Sequence, residues 1–156
     1  MPSWASFDAS SGRIFGTPLN ADVGRYKAIS ITVTDPQGSQ ASLAAFDIEV
    51  INSNDAPSIS GSAITSVIED QRYYFIALAA DDDLADNVTF AINTLPSWLS
   101  FDSQTGSLQG IPTNADVGLY ANLIITVTDS SGASASLPAF TITVLNSNDA
   151  PTITGT

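Results

Sequence analysis

Apolar and polar residues alternate with a period of two along several short stretches of the chain. Residues 29–34 read ISITVT, which places Ile29, Ile31 and Val33 on one face and Ser30, Thr32 and Thr34 on the other. Residues 46–50 read FDIEV, with Phe46, Ile48 and Val50 on the apolar side. The same pattern returns with Leu123, Ile125 and Val127, and with Phe140, Ile142 and Val144. Alternation of this kind predicts half-buried strands of antiparallel sheet. Between them stand DPQG (35–38) and DSSG (129–132), Asp-initiated turns that close on Gly; ASSG (9–12) and SQTG (103–106) mark further turns. Further strands are predicted at 58–60, 64–68, 72–79 and 88–92. In RYYF (72–75), Tyr73 and Phe75 share one face and Tyr74 takes the other, where one tyrosine is expected to be exposed. No stretch keeps a helical period with caps, so almost no helix is expected.

The pattern is written twice. Residues 2–62 align with 96–156 without a gap, at an offset of about 94 residues and roughly 60 per cent identity. Trp4 and Trp98, Phe7 and Phe101, Asp8 and Asp102, Gly12 and Gly106, Gly16 and Gly110, and Pro18 and Pro112 are matched pairs. NADVG, ITVTD and NSNDAP each occur in both halves. A unit of that length is a whole domain rather than a solenoid rung. The opening half of the unit occurs once, at 58–94. We therefore read 1–57 as the later portion of one repeat, 58–151 as a complete repeat and 152–156 as the start of another. Seven or eight short strands with frequent turns predict an all-β sandwich.

Composition narrows the chemistry. Four basic residues face sixteen acidic ones, all Asp except Glu49 and Glu69, for a net charge of −12. Such a chain is unsuited to a phosphate backbone, so no nucleic-acid partner is expected. No Cys and no His are present, which removes thiol nucleophiles, His-based triads and the usual zinc ligands. No apolar run approaches the roughly 18 residues of a membrane span. Asp-rich turns suit hard cations.

The string LPSWLSFDSQTGSLQGIPTNADVGLY, followed by ITVTDSSG, FTITV and NSNDAP, resembles the dystroglycan-type cadherin-like domain found in tandem in bacterial surface and secreted proteins. That resemblance implies a cadherin-like, Ig-like Greek-key sandwich, an extracellular or cell-surface location, adhesion and Ca²⁺. It carries over a ligand set residue by residue. Glu69 in VIED resembles the early Glu of a cadherin repeat, and Asp81 and Asp83 in DDD resemble its Asp-x-Asp motif. Asn87 resembles the Asn before the next strand, and Asp129, with Asp35 as its counterpart, the later Asp. Asn54 and Asp55 resemble the end of the Asp-x-Asn-Asp linker. The sequence departs from the pattern where Asn52 and Asn146 replace the first linker Asp. NADVG keeps Asp22 and Asp116 but loses the Glu of the Asp-Arg-Glu motif. Fewer or weaker sites than in a true cadherin are expected.

The spacing itself adds to this. Asp81 and Asp83 would point to one side of an extended backbone, at the end of the sandwich where Asp129 follows a strand and Asn54 and Asp55 enter. One Ca²⁺ is expected there, at the junction between repeats, on Asn54, Asp55, Asp81, Asp83 and Asp129, to which the resemblance adds Asn87. A second, weaker set is Glu69, Asp116, Asn148 and Asp149, with Asp22 as the counterpart of Asp116. The competing reading is a solvated acidic loop. For Trp98 and Tyr74, stacking on a sugar ring competes with packing, and for Trp98 packing is favoured. No carboxylate pair stands out as acid and nucleophile, so no enzyme is expected.

The expected function is a non-catalytic adhesive or structural module with a homophilic or other cell-surface partner. The alternatives are a carbohydrate-binding module of a polysaccharide-degrading protein and a ligand-free spacer. Because 1–57 lacks the opening strands, its apolar face is expected to seek another molecule, by strand exchange or face-to-face association.

Overall fold

A computed structural model describes residues 1–83 and 87–155. The chain divides into two compact units, 1–54 and 55–156. Both are built of short strands, with helical geometry among the described residues confined to the 3₁₀ turns Asn20–Asp22 and Asn114–Asp116.

In the first unit, β1 (Ala5–Asp8) pairs antiparallel with β2 (Arg13–Gly16). β3 (Gly24–Ile29) pairs with β6 (Phe46–Val50). β4 (Thr32–Thr34) pairs with β5 (Gln40–Ser42). The second unit contains β7 (Ser58–Ser60), β8 (Ser66–Ile68), β9 (Tyr73–Ile76), β10 (Leu78–Ala80), β11 (Thr89–Ile92), β12 (Leu99–Asp102), β13 (Ser107–Gly110), β14 (Gly118–Leu123), β15 (Ile125–Thr128), β16 (Ser134–Ser136) and β17 (Phe140–Leu145).

The second unit is a β-sandwich. One layer runs β12–β13–β9 and continues across Ala77 into the β10–β7 pair; the other holds β14–β17–β8 and β11–β15–β16. The alternation read from the sequence fills the space between them. Tyr73, Phe75, Phe90, Leu99, Leu108, Leu123, Ile125, Val127, Leu137, Ile142 and Val144 are all buried, while Tyr74 is exposed. Burying these side chains is the main drive to fold, at about 1.5–3 kcal/mol for each large one.

Three details differ from the sequence reading. The predicted strands at 29–34 and 123–128 are not continuous. Ala28 and Asn122 take positive φ (56° and 58°), and a register shift falls between Tyr26 and Ile29 and between Tyr120 and Leu123. The partner is the same strand on both sides of each shift; β3 and β14 then end at Ile29 and Leu123, and new strands with other partners start at Thr32 and Ile125. The strand predicted at 72–79 breaks at Ala77, whose N–H donates to the Gly106 carbonyl at 3.1 Å. Finally, β8 runs parallel to β17, with Ser66, Val67 and Ile68 beside Thr143, Val144 and Leu145. Alternation alone predicts only antiparallel neighbours.

Candidate functional site

Strand registers decide which acidic residues share an end of the second unit. Ser58 pairs with Ala80 in β7–β10, so Asp55 enters beside the point where Asp81 leaves. Thr89 pairs with Thr128 in β11–β15, so Asn87 and Asp129 lie beyond the same edge. Asp55, Asp81, Asp83, Asn87 and Asp129 therefore lie toward one end of the unit, with Asp81–Asp83 in a bend rather than on the extended backbone that the spacing predicts. Asn54 belongs to the other unit. Residues 84–86, within the DDDLADN run, lie outside the described residues.

The backbone holds two of these carboxylates in place. Asp83 N–H donates to Asp81 Oδ1 at 2.9 Å, and Asp55 N–H donates to Asp83 Oδ2 at 2.8 Å. Asp83 is 6% exposed, and its Oδ1, like Oδ2 of Asp81, is buried without a protein partner. A buried carboxylate oxygen that lacks a partner loses its hydration for nothing in return. A cation would repair that loss, so these oxygens fit Ca²⁺. Asp129 is also buried, but one of its oxygens is committed. Its Oδ1 accepts the N–H groups of Ser131 (2.9 Å) and Ala133 (2.8 Å) and so shapes the DSSG turn. Asn87 is exposed. Among the described residues, no three acidic side chains converge tightly enough to form a metal-holding group.

At the opposite end stands Glu69, only 2% exposed. Its backbone N–H donates to the Leu145 carbonyl at 3.0 Å, and its Oε1 accepts the N–H of Ser147. Its Oε2 is buried without a partner. Asn114, which the sequence reading did not single out, reaches both Asn146 Oδ1 and Asp149 Oδ2 at 3.4 Å. Asp116 closes the 3₁₀ turn: its Oδ2 accepts Thr113 N–H at 2.9 Å and the Thr113 hydroxyl at 2.8 Å. Asp22 does the same for Leu19 N–H at 2.9 Å. Asn148 is exposed, and its amide donates to the Asp149 carbonyl at 3.4 Å. The signal for Asn114 was its place in the repeated NADVG segment, two residues before Asp116.

The two aromatic candidates differ in exposure. Trp98 is half-buried, with its ring edge-on to Tyr73 at 5.9 Å and to Tyr120 at 5.8 Å. It packs against the apolar core, and its indole N–H is buried without a partner. Tyr74 is exposed and lies 5.3 Å under the Arg72 guanidinium. Beside it, Arg72, Ser100, Gln109, Gly110 and Ile111 line a shallow hollow of about 330 Å³.

The likeness to known proteins fits this architecture. The family described as "Putative Ig domain" matches the chain twice, over residues 1–51 and 56–145. The Serine-rich adhesin for platelets of Staphylococcus aureus strain MRSA252 is 30% identical over 132 residues, which is 85% of this chain and 9% of the adhesin. Its counterpart in strain MSSA476 matches at 30% over 85% of this chain and 6% of its own length. The chain thus spans less than a tenth of either adhesin. Among solved structures, the protocadherin GammaB4 extracellular domain superposes with a TM-score of 0.61 at 21% identity, covering 92% of this chain and 25% of that one. The protocadherin gammaB7 EC3-6 cis-dimer structure gives 0.63 at 19% identity, covering 95% and 38%. At that identity the likeness is one of fold, a cadherin-like and Ig-like sandwich. With two matches spanning nearly its whole length, the chain belongs to the He_PIG family of Ig-like domains.

Proposed function

We propose that the chain is a non-catalytic module of an extracellular or cell-surface protein, of the dystroglycan-type cadherin-like kind, serving adhesion or spacing. Its partner is another cell-surface protein or a further copy of the same repeat. Its stiffness depends on Ca²⁺. The observation that carries the calcium reading is Asp83: a carboxylate 6% exposed, fixed by the Asp55 N–H, with its other oxygen unpartnered beside Asp81. Asp81 and Asp83, whose buried oxygens lack partners, would hold the ion, with Asp55, Asn87 and Asp129 at the same end of the unit. Bound Ca²⁺ would neutralise the carboxylates and tie the 81–83 segment to the residues entering at 55. Glu69, Asn146, Asn148 and Asp149, with Asp116 and Asn114, offer a second and sparser set. The family match and the adhesin relatives support a surface location and a non-enzymatic role. No helix of the described residues is long and apolar enough to cross a membrane.

Calorimetric titration of the demetallated protein with calcium tests the reading. Heat release together with a rise in melting temperature at millimolar calcium is expected. A titration that gives no heat and no rise in melting temperature overturns it. A carbohydrate-binding reading is favoured by one observation, the hollow beside exposed Tyr74 with Arg72, Ser100 and Gln109 on its walls. A glycan array with Tyr74→Ala as control separates the two readings.

A further inference from the structure

The outer face of the β12–β13–β9 sheet carries a row of polar and aromatic side chains. Leu99, Leu108, Tyr73 and Phe75 point into the core, so their neighbours Ser100, Gln109 and Tyr74 point out. The register sets Ser100 opposite Gln109 and Gln109 opposite Tyr74. Arg72 stands just before β9 and Ile111 just after β13, at the end of the ladder where Tyr73 meets Gly110. Arg72, Ser100, Gln109 and Ile111 wall the hollow, with Tyr74 beside it.

Hydrogen bonding fixes what these groups can offer a ligand. An arginine side chain only donates. Arg72 Nη2 donates to Gln109 Oε1 at 3.1 Å, so the amide keeps its oxygen towards the guanidinium and its NH₂ is left as a donor. That NH₂ has no hydrogen-bond partner among the described residues. The guanidinium also lies over the Tyr74 ring at 5.3 Å. Held by a ring face and by an amide, it loses little further freedom when a ligand arrives. Among the described residues Arg72 makes no ion pair, in a chain of sixteen acidic and four basic residues. Ser100 is the complement. Its hydroxyl donates to the Gln109 carbonyl at 3.1 Å, which leaves its oxygen to accept. Ile111, 58% exposed, adds apolar surface.

We propose that this hollow binds a sugar bearing a single carboxylate, a uronic-acid-type residue at the end of a glycan; the inference rests on the carbohydrate reading of the hollow and names its ligand. Arg72 would grip the carboxylate with two parallel N–H donors, and the Gln109 NH₂ would donate alongside. A ring hydroxyl would donate to Ser100 Oγ, and the C–H face of the ring would lie against Ile111 and Tyr74. A neutral sugar leaves the spare Arg72 donors without an anionic acceptor. A polyanion is disfavoured, because a net charge of −12 repels each added negative charge. At about 330 Å³ the hollow is at the small end of ligand sites, which suits one sugar residue. The first unit does not repeat the set: Phe15 and Thr17 stand where Gln109 and Ile111 do.

Titration of the intact chain with methyl β-D-glucuronide and with methyl β-D-glucoside, followed by amide chemical shifts, tests the proposal. A chelator is kept present, so that no ion can bridge to the carboxylate. The glucuronide should bind about tenfold tighter than the glucoside, as for a charge-assisted bidentate contact, and should shift the amides of Tyr74, Gln109 and Ile111. Arg72→Gln should bring the glucuronide down to the level of the glucoside with the melting temperature unchanged, because Arg72 is exposed. Arg72→Lys should keep only part of the difference, since an ammonium retains the charge but loses the fork. Equal binding of the two sugars overturns the proposal and leaves the carbohydrate reading standing. No binding of either overturns both. A preference for the glucuronide that survives Arg72→Gln overturns the proposal, as does tighter binding of a sulfated oligosaccharide.

Discussion

The carbonyl oxygen of Trp98 lies so close over Gly110 that a Cβ added there would stand 2.1 Å from it and 3.1 Å from the indole Cε3. Gly16 meets Trp4 in the same way, at 2.3 Å and 3.0 Å. The recurrent pairing of Trp with a Gly twelve residues on is thus a packing requirement. The glycine lets the β-hairpin backbone seat against the indole. Gly110→Ala should destabilise the second unit by about 3 kcal/mol, because backbone rather than a flexible side chain must move. A lower urea midpoint at unchanged m-value would show it.

Tyr73 is 1% exposed and donates its hydroxyl to the Ile64 carbonyl at 3.0 Å. Burial pushes its phenol up from 10.0 to about 12. For a group whose folded pKa lies above its unfolded value, stability is complete below the unfolded pKa and is lost as pH rises towards the folded one. The second unit should therefore lose stability between about pH 10 and pH 12. Tyr73→Phe should flatten that alkaline limb while lowering stability at neutral pH by about 1 kcal/mol. Melting temperatures across that range check both outcomes.

The Asp-initiated hairpin turns act on the acid side. Hydrogen bonds from the Ser11 hydroxyl, then the Ser10 hydroxyl and Ser10 N–H, hold the Asp8 carboxyl down to about 2. The Gln104 N–H, followed by the Thr105 side chain, lowers Asp102 in the same sense. Depressed carboxylates contribute stability that is complete above their unfolded pKa and is lost as pH falls through the folded value. The turns at 8–12 and 102–106 should loosen below about pH 4. Asp102→Asn should remove part of that acid sensitivity. Amide exchange at Gln104 and Gly106 measured against pH provides the check.

Much of this was legible in the sequence. Period-two alternation placed Ile125, Val127, Ile142 and Val144 in the core, and the internal repeat gave the unit its length. Tyr73 and Tyr74 fell on opposite faces as their adjacency requires. Positions set by tertiary packing were not legible. The positive φ just before these strands falls on Asn122, a residue type that tolerates it, but also on Ala28, which gives no such signal; the breaks at 30–31 and 124 lie inside unbroken alternation and were hidden. The parallel partner of β8 depends on how the sheet closes, which alternation does not encode. In the candidate site, the spacing put Asp81 and Asp83 on one side of an extended backbone, whereas the chain bends there and Asp83 N–H closes on Asp81 Oδ1. It did not show that Asp129 commits an oxygen to its own turn, or that Asn114 reaches Asn146 and Asp149.

Calcium should act unequally on the two ends of the second unit. Asp83→Asn keeps the hydrogen-bonding shape beside Asp55 N–H but removes the charge at the more acidic end. It should abolish the larger part of any calcium-induced rise in melting temperature. Glu69→Gln should leave most of that rise, because its end supplies fewer carboxylates. At calcium a hundred times the dissociation constant, the stabilisation should be about 2.7 kcal/mol, a shift of several degrees. Calorimetric scans of both variants with and without calcium distinguish the ends.

The sharpest contrast between the units comes from one side chain in its two settings. Leu137 is 7% exposed and packs in the sandwich core, while Leu43, the same residue of the other copy, is 61% exposed. Both follow a short strand, and each donates its N–H to an Ile carbonyl at 2.9 Å, Leu137 to Ile125 and Leu43 to Ile31. Local structure is therefore the same, and only the covering strands differ. Leu137→Ala should cost about 2–5 kcal/mol, the range for a buried leucine that leaves a cavity. Leu43→Ala should change stability by no more than about 0.5 kcal/mol, as for an exposed site. If Leu43→Ala cost as much as Leu137→Ala in chemical denaturation, the face of the first unit would be covered in solution rather than bare.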